Sequence, residues 1–169
     1  MNARPPLASL ALGGAVLAGL FIAADWPKAH AAGDFSEQER GRYLTTVGDC
    51  AACHTAEGGR PFAGGRPIET PFGIIYSANI TPDPETGIGA WTADQFYRAM
   101  HEGIAADGTH LYPAFPYPWF TRVKREDVDA IRAYLRTLPA VKNRRPENDL
   151  PWPVNHPAAM AAWIAIYFE

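Results

Sequence analysis

The sequence is poor in sulfur: it holds two cysteines and three methionines in 169 residues. Two cysteines exclude a multi-disulfide scaffold and a four-cysteine zinc site, and the chain is long enough to build a core without either. An excess of positive charge is also missing. Fifteen basic residues stand against eighteen acidic ones, a net charge of −3, which argues against a nucleic-acid partner. There is no internal repeat and no low-complexity tract, and after residue 24 no apolar run long enough to cross a bilayer.

The one long apolar run lies at the start. Arg4 precedes a mostly apolar stretch from Leu7 to Ala24, and Ala29-His30-Ala31 offers a small-residue cleavage site. That order is a secretory signal peptide. At 1.5 Å per residue the run would also reach about 27 Å, so an uncleaved N-terminal membrane anchor is an equal alternative. Either way residues 33 onward are exported. Loss of residues 1–32 removes Arg4, Lys28 and Asp25 and leaves 13 basic against 17 acidic residues, a net charge of −4.

Both cysteines fall in Cys50-Ala51-Ala52-Cys53-His54. In an oxidising compartment an isolated pair would read as a disulfide, but the histidine directly after the second thiol changes the chemistry implied. C-x-x-C-H is the attachment pattern of haem c. Each thiol adds to a vinyl group, and the adjacent imidazole ligates iron from the same side. A thioredoxin-type C-x-x-C would begin a helix in a βαβ unit, and no such strand pattern surrounds this one. One covalently attached haem is therefore expected, with Cys50 and Cys53 as anchors and His54 as an iron ligand.

The remaining pattern is helices separated by long loops. Ser36 and Glu39 have capping-box spacing before a helix that stops at Gly48. Thr92 and Gln95 repeat the signature before a second helix ending at Gly103. A third runs through KREDVDAIRAYLRTL with Val128, Ile131, Tyr134, Leu135 and Leu138 on one stripe. Between the first two, Gly and Pro recur from Thr55 to Ala90 around one strand-like run at Phe72 to Ser77, and the loop's apolar side chains, Phe72 among them, are expected to pack onto something. Pro113, Pro116 and Pro118 predict a helix-free loop. The tail, residues 156–169, is a short apolar segment with Met160, Trp163, Ile164 and Tyr167 on one face, suited to closing a core or docking on a partner.

A helix leading into C-x-x-C-H, with a later helix bearing an aromatic stripe, resembles the class I cytochrome c fold. The resemblance implies an all-α domain over residues 33–155, with three main helices and long ordered loops around the haem. It also implies that Gly41 and Tyr134 are the small and aromatic partners where the first and last of those helices cross. The stretches PFAGGRPIETPFGIIYSANITPDPETGIGAWT, HLYPAFPYPWFTRV and NDLPWPVN are similar to the cytochrome c subunits of bacterial membrane-bound periplasmic dehydrogenases of the gluconate, alcohol and nicotinate type. Those subunits often carry three haem domains on one chain; this sequence has one C-x-x-C-H.

What that resemblance implies is an electron carrier, not an enzyme. It would take electrons from an exported dehydrogenase and pass them to a quinone, another cytochrome or a terminal oxidase, in the periplasm and associated with the membrane. One position departs from the pattern. Many such subunits read Tyr-Pro-Ala-Met-Pro-Tyr after the second helix, their methionine being the second axial ligand, whereas here Phe115 stands in its place. A phenyl ring has no lone pair to give iron. Relatives with Phe at this point tend to carry Met in a motif like Arg98-Ala99-Met100-His101-Glu102-Gly103, so Met100 becomes the expected sixth ligand, with core packing as its ordinary alternative. His101 is one helix step away and faces about 100° elsewhere. His110 is a surface or propionate-adjacent residue, or a rival ligand. If Met100 only packs, the iron is five-coordinate and the protein a small-ligand sensor or weak peroxidase. Asn79, Thr81 and Trp91 are either propionate partners or ordinary turn and core residues. Lys142, Arg144 and Arg145 form a basic cluster that reads as a solvated face or a docking patch.

Overall fold

The structure is a computed structural model that describes residues 36–168. The leader, and with it the choice between cleavage and anchoring, lies outside the described residues. Among the described residues, six helices and one two-stranded sheet occur in the order α1 (Glu37–Val47), α2 (Cys50–His54), β1 (Pro67–Thr70), β2 (Gly73–Tyr76), α3 (Ala93–Glu102), α4 (Tyr117–Phe120), α5 (Arg125–Leu135) and α6 (Pro157–Tyr167). The three expected helices are α1, α3 and α5. Beside these main helices the described residues hold three others and a small antiparallel sheet, so the domain is chiefly helical with one hairpin.

Both capping boxes form. The Ser36 and Thr92 hydroxyls accept the N–H of Glu39 and Gln95, and each N3 side chain accepts the cap residue's N–H in return. Gly103 ends α3 in the left-handed region (φ 65°), as a C-terminal glycine commonly does. At the end of α1 the left-handed residue is Asp49 (φ 50°) and not Gly48. That single residue turns the chain so that α2, carrying both cysteines, leaves α1 at once.

The central packing is α1 across α5, the most extensive helix–helix contact among the described residues. Gly41 makes it possible. A Cβ built there would lie 1.9 Å from the Ala130 carbonyl oxygen and 2.9 Å from Tyr134 Cβ, so only a residue without a side chain lets the two backbones meet. Arg40 Nε donates to Asp127 Oδ1 at 2.7 Å beside the crossing. On the other side of α5, Val128, Ile131 and Leu135 pack with Phe96 and Met100 of α3 and with Ile88.

Two loop expectations are revised. The strand-like run is one half of a hairpin, with Pro67, Ile68, Glu69 and Thr70 opposite Tyr76, Ile75, Ile74 and Gly73. Pro67 is tolerated because it is the first residue of its strand. Phe72, at the tip, is 62 % exposed instead of packed. The proline-rich loop contains α4, because Pro118 sits in the first turn of a helix only four residues long, where a missing N–H costs nothing. The segment after α5 returns to the hairpin, where Ile74 and Asp149 exchange both backbone hydrogen bonds at 2.9 Å.

Gly41→Ala is expected to destabilise the fold by about 1–3 kcal/mol, the usual cost of forcing atoms into a packed contact. A melting temperature equal to that of the wild type would show that the crossing relaxes freely.

Candidate functional site

A cavity of about 480 Å³ lies between α2, α3, α5, the hairpin and the loops beside them, and its lining is mainly apolar. Cys50, Cys53, His54 and Met100 all line it. Four residues separated by up to fifty positions, three singled out by the attachment motif and Met100 through the family resemblance, therefore share one wall system. The two thiols are free. Burial pushes the Cys50 thiol up to about 11, so it is a thiol at neutral pH. A redox-active C-x-x-C works through a lowered thiolate pKa, and this one is displaced in the opposite direction.

His54 is oriented by a hydrogen bond from Nδ1 to the Ala78 carbonyl, 2.7 Å long. A carbonyl only accepts, so Nδ1 carries the proton and Nε2 keeps its lone pair. Burial holds the imidazole below the ordinary histidine range and so favours the neutral form that binds metals, while the Ala78 bond partly offsets this. The Ala78 carbonyl is held in turn. Gly64, at φ +70°, lies so close that a Cβ there would approach the Ala78 carbonyl carbon to 2.4 Å, while its own N–H donates to His54 O at 2.8 Å. The loop after the cysteine motif thus fixes the histidine at two points.

Met100 sits in the last turn of α3, buried among Phe96, Ile131 and Leu135. Phe115 also lines the cavity and stacks on Phe120 with ring centroids 5.6 Å apart. His101 does not line it. Its ring stacks on Tyr97 at 4.0 Å, as the one-step rotation from Met100 requires. His110 does line it, and its Nδ1 is buried without a hydrogen-bond partner among the described residues. His156 caps α6, where Nδ1 accepts the Ala158 N–H at 3.2 Å.

Asn79 and Thr81 do ordinary structural work. Asn79 Nδ2 donates to Thr86 Oγ1 (3.0 Å) and Val141 O (2.7 Å), and its Oδ1 accepts from the N–H (2.9 Å) and hydroxyl (2.7 Å) of Thr81. Both amide protons and both lone pairs are used: three bonds close the loop over residues 79–86 on itself, and the one to Val141 ties it to the segment after α5. Trp91 lines the cavity, and its carbonyl accepts from Arg132 Nη2 at 2.8 Å.

Two contributors were not expected at this site. Met160, from the tail segment, is buried and lines the same cavity. Arg145 lines it as well, so the basic cluster is not one surface: Lys142 pairs with Glu85 at 2.6 Å, while Arg145 turns to the cavity. NDLPWPVN, which lies between them, also reaches the cavity through Asn148 and Asn155.

The family model for cytochrome c matches residues 38–139, and the chain belongs to the cytochrome c family. Its relatives sharpen the placement. It is 50% identical over 131 residues to a subunit of the nicotinate dehydrogenase of Pseudomonas putida, covering 78% of this chain and 11% of that one. It is 45% identical over 130 residues to the gluconate 2-dehydrogenase cytochrome c subunit of Pantoea cypripedii (76% and 30%), and 44% identical over 132 residues to the alcohol dehydrogenase (quinone) cytochrome c subunit of Gluconobacter oxydans (76% and 27%). The chain thus spans less than a third of the length of each. Membership of the family implies covalently bound haem c. The donor set fits that group: two free thiols, a neutral imidazole with an available lone pair, thioether sulfur and apolar walls.

The Asp83 carboxylate in the Asn79 loop gives this region a pH dependence. Its Oδ1 accepts from the hydroxyl (2.7 Å) and N–H (2.7 Å) of Thr86 and from the Glu85 N–H (3.2 Å), and these bonds, the Thr86 hydroxyl first, hold it below the ordinary carboxylate range. The folded value lies below the unfolded one. The stabilisation is therefore fully present above the unfolded carboxyl's range and disappears as pH falls through the folded value. Asp83→Asn should melt earlier than wild type at neutral pH, with the two curves converging as the solution is acidified; a gap that stays constant with pH would assign the loss to something other than the charge.

Proposed function

We propose that this chain is a monohaem electron-transfer c-type cytochrome of class I architecture. Its haem is linked through Cys50 and Cys53, and the iron is ligated by His54 on one face and Met100 on the other. The observation that carries this reading is the convergence of those four side chains on one cavity, with His54 already held in the ligating tautomer.

When bound, haem c supplies a one-electron iron centre. The chain's contribution is geometric and electrostatic. Burial among aliphatic and aromatic side chains would lower the dielectric around the group, the fixed His54 imidazole would limit rearrangement between its two oxidation states, and His54 and Met100 together would leave no open position for a substrate. Axial-ligand identity moves haem potentials over roughly 0.8 V, and thioether opposite imidazole lies towards the accepting end.

The relatives' names support the partner. An exported dehydrogenase donates the electrons, and a quinone, another cytochrome or a terminal oxidase takes them onward. The signal-like leader supports a periplasmic location, and the relation to dehydrogenase subunits supports association with the membrane. Among the described residues no helix is long and apolar enough to cross a membrane.

Met160 gives a second reading of the far ligand, because it is buried and lines the same cavity. Met100 is preferred, since it lies within the family-matched residues and is held on a capped helix packed against α5. Met100→Ala should keep the haem attached, lower its potential, remove the thioether charge-transfer band of the oxidised protein and admit carbon monoxide to the reduced iron. Met160→Ala should do none of these. The reverse pattern would pass the ligand role to α6, and a wild-type protein that binds carbon monoxide rapidly would favour an open-iron sensor or peroxidase.

A further inference from the structure

Among the described residues lining the cavity there is no carboxylate, and Arg145 is the one permanently charged side chain. It lies beyond the family-matched residues 38–139, on the strand-like return after α5. Its position is nonetheless well determined. Asp149 is bonded to Ile74 of the hairpin in both directions, and Asn148 Oδ1 accepts the Tyr76 N–H at 2.9 Å. The same Asn148 oxygen accepts from Arg145 Nη1 at 3.0 Å, and Nη1 also donates to Pro146 O at 3.2 Å.

All the bonds Arg145 makes among the described residues thus use one nitrogen. The edge formed by Nε and Nη2 makes none, and that edge is the planar two-donor fork that matches a carboxylate. The residue is exposed as well as cavity-lining, so it stands where the cavity meets solvent.

Resting on the reading of the cavity as a haem site, we infer that Arg145 is the positioning residue for a haem propionate: its Nε/Nη2 edge binds the carboxylate at the mouth, while Asn148 and the hairpin hold the guanidinium in place. Of the three expected propionate partners, Asn79 and Thr81 have their donors engaged elsewhere, and Trp91, which lines the cavity, offers one N–H and no charge. A guanidinium there opposes the additional positive charge of the oxidised iron, both directly and by neutralising the propionate, and so raises the potential.

The test is potentiometric titration of the full-length haem-loaded protein. Arg145→Gln should keep the haem attached and lower the potential by about a three- to tenfold change in the reduction equilibrium, which is about 30–60 mV for one electron. The propionate bending band in its resonance Raman spectrum should also move. Arg145→Lys, which keeps the charge and loses the fork, should recover most of the potential but not the band. Arg144→Gln removes the same charge one residue away on the exposed side and should change neither. Equal shifts in the 144 and 145 variants, or an unmoved band in Arg145→Gln, would overturn the assignment. A wild-type protein lacking covalent haem would overturn the underlying reading and this one with it.

Discussion

The bond from His54 Nδ1 to the Ala78 carbonyl is the constraint around which the rest of the site is arranged. It settles the tautomer, and so decides which nitrogen is available to a metal. Such second contacts orient ligands and tune the centre they bind. A carbonyl can serve only if its own peptide plane is fixed, and most of the polypeptide between the cysteine motif and α3 contributes to fixing it. Gly64 supports it from behind, the hairpin continues directly into it, and the Asn79–Thr81–Val141 network clamps the residues just after it.

The two halves of the structure meet different physical demands. The α1–α5 crossing is a contact between backbones, permitted by one missing side chain and sealed by aliphatic packing. The opposite half has little regular structure and relies on side-chain bonds to backbone groups to satisfy the polar atoms of its loops. Asn79, Thr81 and Asp83 each serve two or more backbone or hydroxyl partners, and Asn148 serves the Tyr76 N–H and the Arg145 guanidinium. A domain of this size gains stability when a cofactor supplies apolar surface to its core.

Much of this was legible in the sequence where the signal is local. Capping boxes, the glycine at the end of α3, the stripe of α5 and the attachment motif are each set by residues a few positions apart. The Gly41–Tyr134 pairing, a contact across the whole domain, came instead through family resemblance, which periodicity cannot replace. The misses have a common cause. α4 and the hairpin depend on where a proline falls within its element, and Met160 and Arg145 reach the cavity through a return of the chain that no short-range pattern records.

That return gives the cavity a history. Its walls are drawn from positions as early as Cys50 and as late as Met160, so during synthesis the thiols and His54 appear about a hundred residues before the last wall does. The segment carrying Asn148 and Met160 is thus the last wall of the cavity in chain order. Non-local pairing of that kind is slow to form. The wall supplied last in the chain is thus also the one slowest to take its place.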